Sequence, residues 1–345
     1  MTTPAHLPVR FLITGGAGFI GSHLADALIA RGDAVTVIDD LSTGSFANIE
    51  HLATHERFRF AIDSIANETV LDRLAAESDV IVHLAAAVGV DLIIRDPVRV
   101  IECNILGTRQ VLAVAQRYRR KVLLASSSEI YGKSPGSPFA EDDDRLLGPT
   151  TRSRWCYSTS KATGEYLAFA YHRQNGLPVV VMRFFNTVGP RQSGQYGMVV
   201  PRLVRQAMEG TPLTVYGDGS QTRCFCDVSD TVRAVLALAD CGAAVGAAFN
   251  VGSLEEVSIL ELARRVMARV RGGSRTAAEL VAEGAITLVP FEVAYEEGFE
   301  DMLRRVPDTR RISSLTGWRP ALSLDDTLDR LIAHFRGEQA SRRGG

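Results

Sequence analysis

Tyr157 and Lys161 stand four positions apart in Arg154-Trp155-Cys156-Tyr157-Ser158-Thr159-Ser160-Lys161, at the front of a predicted long helix. That spacing puts both side chains on one helix face, a turn apart. A lysine ammonium beside a phenol favours the phenolate. A phenol of ordinary pKa near ~10 can then take a proton from an alcohol at neutral pH. The same pair also fits a plain surface position, so the remaining residues have to decide.

A second group is Gly15, Gly18 and Gly21, between the apolar run Val9–Thr14 and a helical pattern from Ser22 to Ala30. Glycines so placed let the chain turn tightly, approach a pyrophosphate and pack helix on strand. The helix N-terminus then offers amides and a positive dipole end to phosphate. The next strand, Ala34–Ile38, ends at Asp39, roughly 20 residues beyond the glycines, where an acid meets ribose hydroxyls. Asp39-Asp40, with no Arg before Gly44, favours NAD over NADP, because a 2′-phosphate would be repelled.

These residues need a scaffold of alternating strands and helices. Strands are predicted at Phe58–Ile62, Asp79–Leu84, Lys121–Ala125 and Val179–Phe184, with long helices at Pro97–Arg117 and from Tyr157 to Gln174. The fold class expected is α/β, a Rossmann-like doubly wound parallel sheet with a smaller mixed α/β C-terminal substrate domain. Ligands bind beyond the carboxyl ends of such strands, and the glycines, Asp39, Ala85, Ser127 and Phe185 all fall there. Residues 1–186 make the expected cofactor domain, with later segments near 213–251 interleaved, and 187–337 the substrate domain. A strand is expected over Arg223–Val228, a mobile loop or frayed helix end over 271–284, helices at Pro307–Leu315 and Leu324–Phe335, and a disordered tail over 338–345.

Composition narrows the classes. A net charge of −2 gives no nucleic-acid surface. No apolar run reaches the ~20 residues of a membrane span, and Val9–Ile13 runs into glycines rather than a signal cleavage site. Five cysteines, an odd count, fit a reduced cytoplasmic protein. Cys224 and Cys226 share a strand face, but no second Cys/His pair stands at ligand spacing, so no metal is expected.

The glycine triplet, the Ser126-Ser127-Ser128 strand end and Tyr157-x-x-x-Lys161 together resemble the extended short-chain dehydrogenase/reductase family, whose members act on nucleotide sugars. Asn104-x-x-Gly107-Thr108, Arg183-Phe184-Phe185-Asn186, Gly189-Pro190-Arg191 and Tyr216-Gly217-Asp218-Gly219 with Gln221 and Arg223 extend the likeness from Val9 to about Phe335. The resemblance implies a tightly bound, recycled NAD. It would be held by Gly15, Gly18, Phe19 and Ile20, by Asp39, Asp40, Ser42, Thr43 and Gly44, and by Asp63 and Ser64. Leu84, Ala85, Ala86, Asn104, Ala125, Ser126 and Phe184, with Tyr157 and Lys161, would complete that site. It also implies a UDP-sugar on Val88, Glu129, Asn186, Arg191, Val200, Tyr216, Gln221, Arg223, Tyr295 and Arg305, and a homodimer through a four-helix bundle.

Simpler roles stay open. Arg223 also fits a solvated strand position, Asn186 a turn cap, and Ser127 a hydroxyl bonded to backbone. Ser128-Glu129 selects among reactions. Sugar 4,6-dehydratases usually have Asp-Glu there, and epimerases small or neutral residues. Ser-Glu resembles UDP-glucuronate decarboxylases, as does Arg154-Trp155. The run from Tyr295 to Asp308 resembles their C-terminal segment, where an arginine just before x-Pro faces the sugar carboxylate. Arg305 matches it, and extended-backbone alternation would point Arg304 the other way. An ion pair of that arginine with Glu300 or Asp301 is the plain alternative. The expected chemistry is C4 oxidation by Tyr157, Lys161 and Ser127, loss of CO2 steered by Ser128, Glu129 and Arg305, and reduction to UDP-xylose, with the 4-keto sugar a potential escaping product. UDP-sugar 4-epimerisation is the alternative; a 4,6-dehydratase or a non-catalytic NAD-binding scaffold ranks lower.

Overall fold

Phe11, Leu12 and Ile13 are consecutive and all buried, so the strand they form must be covered on both faces. A computed structural model describes residues 7–136, 138–194, 198–294 and 302–344. The first half runs β1 (Arg10–Thr14), α1 (Phe19–Arg31), β2 (Ala34–Asp39), β3 (Phe58–Ile62), α2 (Glu68–Ala76) and β4 (Val80–His83). α3 (Val90–Arg95), α4 (Pro97–Tyr118), β5 (Lys121–Ser127), α5 (Arg154–Asn175) and β6 (Val179–Phe184) follow. The second half begins β7 (Thr187–Val188), α6 (Val199–Glu209), β8 (Leu213–Tyr216), β9 (Thr222–Cys224) and β10 (Cys226–Asp227). Then come α7 (Val228–Asp240), β11 (Ala247–Val251), β12 (Glu256–Ser258), α8 (Ile259–Arg271) and α9 (Ala277–Ala282). β13 (Ile286–Val289), α10 (Phe291–Ala294), β14 (Arg304–Arg305), α11 (Arg310–Thr316) and α12 (Leu324–Gly344) close the chain.

The main sheet has seven parallel strands in the order β11-β6-β5-β4-β1-β2-β3. One face packs Phe11, Ile13 and Val37 on Leu24 and Leu28 of α1 and Val235 and Leu238 of α7. The other packs Leu12, Ile81 and Val122 on Leu71 of α2, Val111 of α4 and Ala168 of α5. The fold is therefore the doubly wound α/β class expected, with a smaller mixed α/β part after it. In that smaller part Leu203, Leu262 and Leu328 of α6, α8 and α12 share a separate core with Leu213 and Val215 of β8.

Several boundaries differ from expectation. The expected strand Arg223–Val228 breaks at Phe225: β9 joins β12 and β14, whereas β10 pairs with β7. Cys224 and Cys226 therefore lie in different sheets, both buried. Of the expected interleaved segment 213–251, only α7 and β11 reach the main face, and β8 pairs with β13 instead. The expected loop at 271–284 contains α9, which Thr276 and Glu279 start with a capping box. The last helix passes Gly337 and continues to Gly344, since one glycine lowers helix propensity by only ~1 kcal/mol against Ala and does not end a helix. Pro307 precedes α11 and bridges to Phe139, leaving Arg310 as the first helical residue. Among the described residues no helix is long and apolar enough to cross a membrane.

Candidate active site

The carboxyl ends of β1, β2, β4, β5 and β6 open into one cavity of about 790 Å3, which reaches from the glycine loop to Arg305. At its glycine end the wall is mostly backbone. Gly15 has φ 71°, and a Cβ there would lie 2.7 Å from the Ala85 amide nitrogen. A Cβ at Gly21 would lie 2.3 Å from the Gly15 carbonyl. α1 has Gly18 as its N-cap, no side chain capping its amides and no acidic residue in its first turn. Those amides and the dipole end thus suit a diphosphate. Asp39 pins this loop: its carboxylate accepts from Ala17 N and Leu41 N, both at 2.9 Å. Burial raises its pKa, against the lowering by those amides.

Beneath the adjoining Ala85–Ala87 segment lies a buried polar chain. His83 Nδ1 is 2.7 Å from Thr14 Oγ1, and Nε2 is 3.1 Å from Thr108 Oγ1. The Thr14 hydroxyl also accepts from Ala85 N at 3.2 Å. Burial and then Lys161 lower the His83 pKa to about 3, which keeps the ring neutral. Asn104 holds the same segment by accepting from Ala87 N at 2.9 Å and donating to Ala87 O at 3.1 Å. It is a strut behind the wall; it does not line the cavity as expected.

The middle of the cavity holds the hydroxyls and the amine. Ser127 ends β5 and accepts from Glu129 N at 3.2 Å, so its oxygen is bonded to backbone, and it lowers the pKa of the Tyr157 phenol. Ser126 donates to Glu165 at 2.5 Å, and Glu165 is ion-paired with Arg183 at 2.7 Å. Lys161 donates to Ala125 O at 3.1 Å, and burial lowers its pKa to about 8. At Tyr157 burial first, and Glu129 second, raise the phenol pKa, while Ser127, Arg305 and Arg154 lower it.

The far end is built from charge. Glu129 sits in the short 3₁₀ turn Ser128–Tyr131 that follows β5. Its Oε1 is 2.8 Å from Arg305 Nη1, and its Oε2 is 2.8 Å from Arg154 Nη1. Burial would raise its pKa, yet Arg154, Arg305 and then Arg223 together lower it to about 2. Arg305 also donates to Ser128 Oγ at 3.3 Å. The parallel pair β14–β9 sets Arg305 opposite Arg223, and both line the cavity. Arg304 points outward and forms a two-point pair with Glu256 at 2.7 and 2.8 Å, as strand alternation requires.

Most other expected residues line the cavity too, among them Asp63, Ser64, Val88, Asn186, Tyr216 and Gln221. Gly44 does not, but a Cβ there would lie 2.9 Å from Asp39 Oδ1, so it gives that carboxylate room. Arg191, expected on the diphosphate, lies outside and pairs with Asp26 of α1 at 2.8 Å. Val200 is in the small core, one position out of phase with Val199, which lines the wall. Tyr295, Glu300 and Asp301 fall outside the described residues. Sequence reasoning missed Thr187, Gln192, Met198, Arg202 and Phe291 on the wall. Arg202 was signalled only by standing one helical turn after Met198; its guanidinium lies 4.3 Å over the Tyr216 ring. Arg154 was visible only as part of a motif.

Comparison with known proteins follows this geometry. A family model described as GDP-mannose 4,6 dehydratase matches residues 12–331. The chain is 41% identical over 328 residues to UDP-N-acetyl-alpha-D-glucosaminuronate decarboxylase of Bacillus cytotoxicus, covering 95% of this chain and 98% of that one. It is 38% identical over 329 residues to UDP-glucuronic acid decarboxylase 1 of Xenopus tropicalis, covering 95% and 72%. Among solved structures it resembles UDP-glucuronic acid 4-epimerase from Bacillus cereus in complex with UDP-glucuronic acid and NAD. That match has a TM-score of 0.83 at 30% identity and covers 95% of this chain and 99% of the other.

Proposed function

We propose that this chain, which belongs to the extended short-chain dehydrogenase family of NAD-dependent nucleotide-sugar epimerases and dehydratases, is a UDP-glucuronate decarboxylase. The observation that carries this reading is Glu129 fixed between Arg154 and Arg305 beside Ser127 and Tyr157. A site for a neutral sugar has no need of two buried guanidiniums around one carboxylate. The relatives named as decarboxylases support it.

The glycine end fits NAD, since a Cβ at Gly15 or Gly21 would fill the cradle and α1 keeps its first amides uncapped. The first turn of α1 would hold the diphosphate and Asp39 the ribose. When bound, NAD supplies a hydride acceptor, returns that hydride later, and so stays tightly held and recycled. Tyr157 takes the proton of the C4 hydroxyl, with Ser127 hydrogen-bonded to the same oxygen. The sugar is then a β-keto acid. CO2 leaves as its bonding electrons pass into the C4 ketone, and Tyr157 and Ser127 stabilise the enolate oxygen. Lys161 holds its positive charge below the phenol, and Arg305 orients the leaving carboxylate. A proton from water then adds at C5, with the Glu129 carboxylate the neighbouring group suited to steer it. Asn186, Gln221 and Arg223 serve the UDP part of the substrate.

A homodimer through α4 and α5 is part of this proposal. Val98 and Ile101 of α4 and Tyr166 of α5 are exposed apolar side chains on that outer face. The 41% identity favours a second substrate, a UDP-uronate with an acetamido group at C2. Incubation of the holoenzyme with each UDP-uronate and weighing of the product tests both. Loss of CO2 from UDP-glucuronate is the expected result. Loss from the acetamido sugar alone moves the assignment to that substrate, and an unchanged mass for both points to epimerisation.

A further inference from the structure

Glu129, Arg154 and Arg305 come from three separate elements: the turn after β5, the first residue of α5 and the last of β14. Their side chains are only 12, 5 and 10% exposed. Arg154 reaches the carboxylate with both terminal nitrogens, Nη1 at 2.8 Å from Oε2 and Nη2 at 3.2 Å from Oε1. Arg305 reaches it with Nη1 alone, at 2.8 Å. The Arg305 Nε–H is buried and has no acceptor among the described residues. A buried N–H without an acceptor is costly, so the Arg305 Nε–H is a position open to the oxygen of a further carboxylate.

A uronate brings that carboxylate, but its arrival at Arg305 sets two carboxylates side by side. Like charges so close disfavour double ionisation unless each keeps its own cation. We infer that Arg154 is a positioning residue: it retains Glu129 while Arg305 exchanges Glu129 for the substrate carboxylate. Glu129 is thus the anion that Arg305 holds until substrate arrives. The inference rests on the uronate reading of the site. Among the described residues, the charged and titratable groups facing Glu129 are Arg154 and Tyr157 of α5, Arg305 of β14 and Arg223 of β9. Loss of Arg154 removes the cation that lowers the Glu129 pKa most, so that carboxylate would protonate at higher pH.

The test is calorimetric titration of the NAD-loaded protein, carrying Tyr157→Phe throughout so that the sugar does not turn over, with UDP-glucuronate and, separately, UDP-glucose. Arg154→Gln is expected to weaken the uronate about 30-fold, or ~2 kcal/mol, and UDP-glucose less than about threefold. Glu129→Gln frees Arg305 and should bind the uronate more tightly than the parent. The double variant should match Glu129→Gln within about threefold, because no resident anion remains to be retained. Equal losses for both sugars, or an Arg154→Gln penalty that persists in the Glu129→Gln background, would overturn the inference in favour of a structural role. A parent protein that binds both sugars alike refutes the uronate reading itself. A parent that prefers the uronate, with Arg154→Gln keeping that preference, refutes only the exchange. If Arg154→Gln does not fold, Arg154→Lys keeps the charge and must retain most of the preference.

Discussion

At the glycine end of the cavity the ligand-facing wall is backbone and small side chains, laid down by one continuous stretch from β1 into α1. At the opposite end the wall is charge, supplied by Glu129, Arg154, Arg223 and Arg305 from four separate elements. The first arrangement reads a diphosphate that many ligands share, through donors that need no side-chain chemistry. The second reads one feature of one sugar. Generality here comes from a local loop, and specificity from contacts that exist only once the chain has folded.

The variants that separate the two ends begin where they meet. Tyr157→Phe should lower turnover about a thousandfold, within the range for loss of a general acid–base, and leave binding of NAD and UDP-glucuronate within a few fold. Rapid-quench turnover beside calorimetry checks this; a fall in binding that matches the fall in rate would mean the phenol only shapes the site. Removing one partner of the buried Glu165–Arg183 pair is next. Arg183→Leu should cost about 3 kcal/mol or more of stability in denaturant melts, since Glu165 would be left buried without its partner. That loss should weaken both ends together, because Glu165 also holds Ser126.

Gly15→Ala acts at one end alone. Its φ of 71° and the 2.7 Å approach to Ala85 N predict roughly 2 kcal/mol of strain, read as weaker NAD binding whichever sugar is present. An unchanged NAD affinity would show that the loop can move away from Ala85. The smallest effect is one of pH. Lys161 has its pKa lowered to about 8, so its ammonium is complete below that and lost as pH rises through it. Turnover that needs this charge should fall about tenfold per unit above pH 8, and a flat profile to pH 9.5 would remove Lys161 from the chemistry.

The glycine end was legible in sequence because its parts are neighbours: strand, glycines, helix and the acid ending the next strand fall within residues 10–39. The charged end was legible only in part. Arg305 could be separated from Arg304 because strand alternation is a local rule. Arg154 gave no such sign, for its partner Glu129 lies in another element. Long-range pairing also explains Arg191, which residue type suited to phosphate but which Asp26 of α1 holds. Val200 shows the limit of phase, since one step along α6 separates the wall from the core. The break at Phe225 depends on which strands arrive on either side, and no local propensity records that.

One experiment reaches the central claim, that this site oxidises C4 and then expels the carboxylate its arginines hold. UDP-glucuronate carrying 13C at C6 and deuterium at C4 is given to the holoenzyme, with no added oxidant or reductant. Release of 13CO2 with deuterium kept at C4 of a UDP-pentose is the predicted result. An intact labelled hexuronate, epimerised or not, would contradict the account.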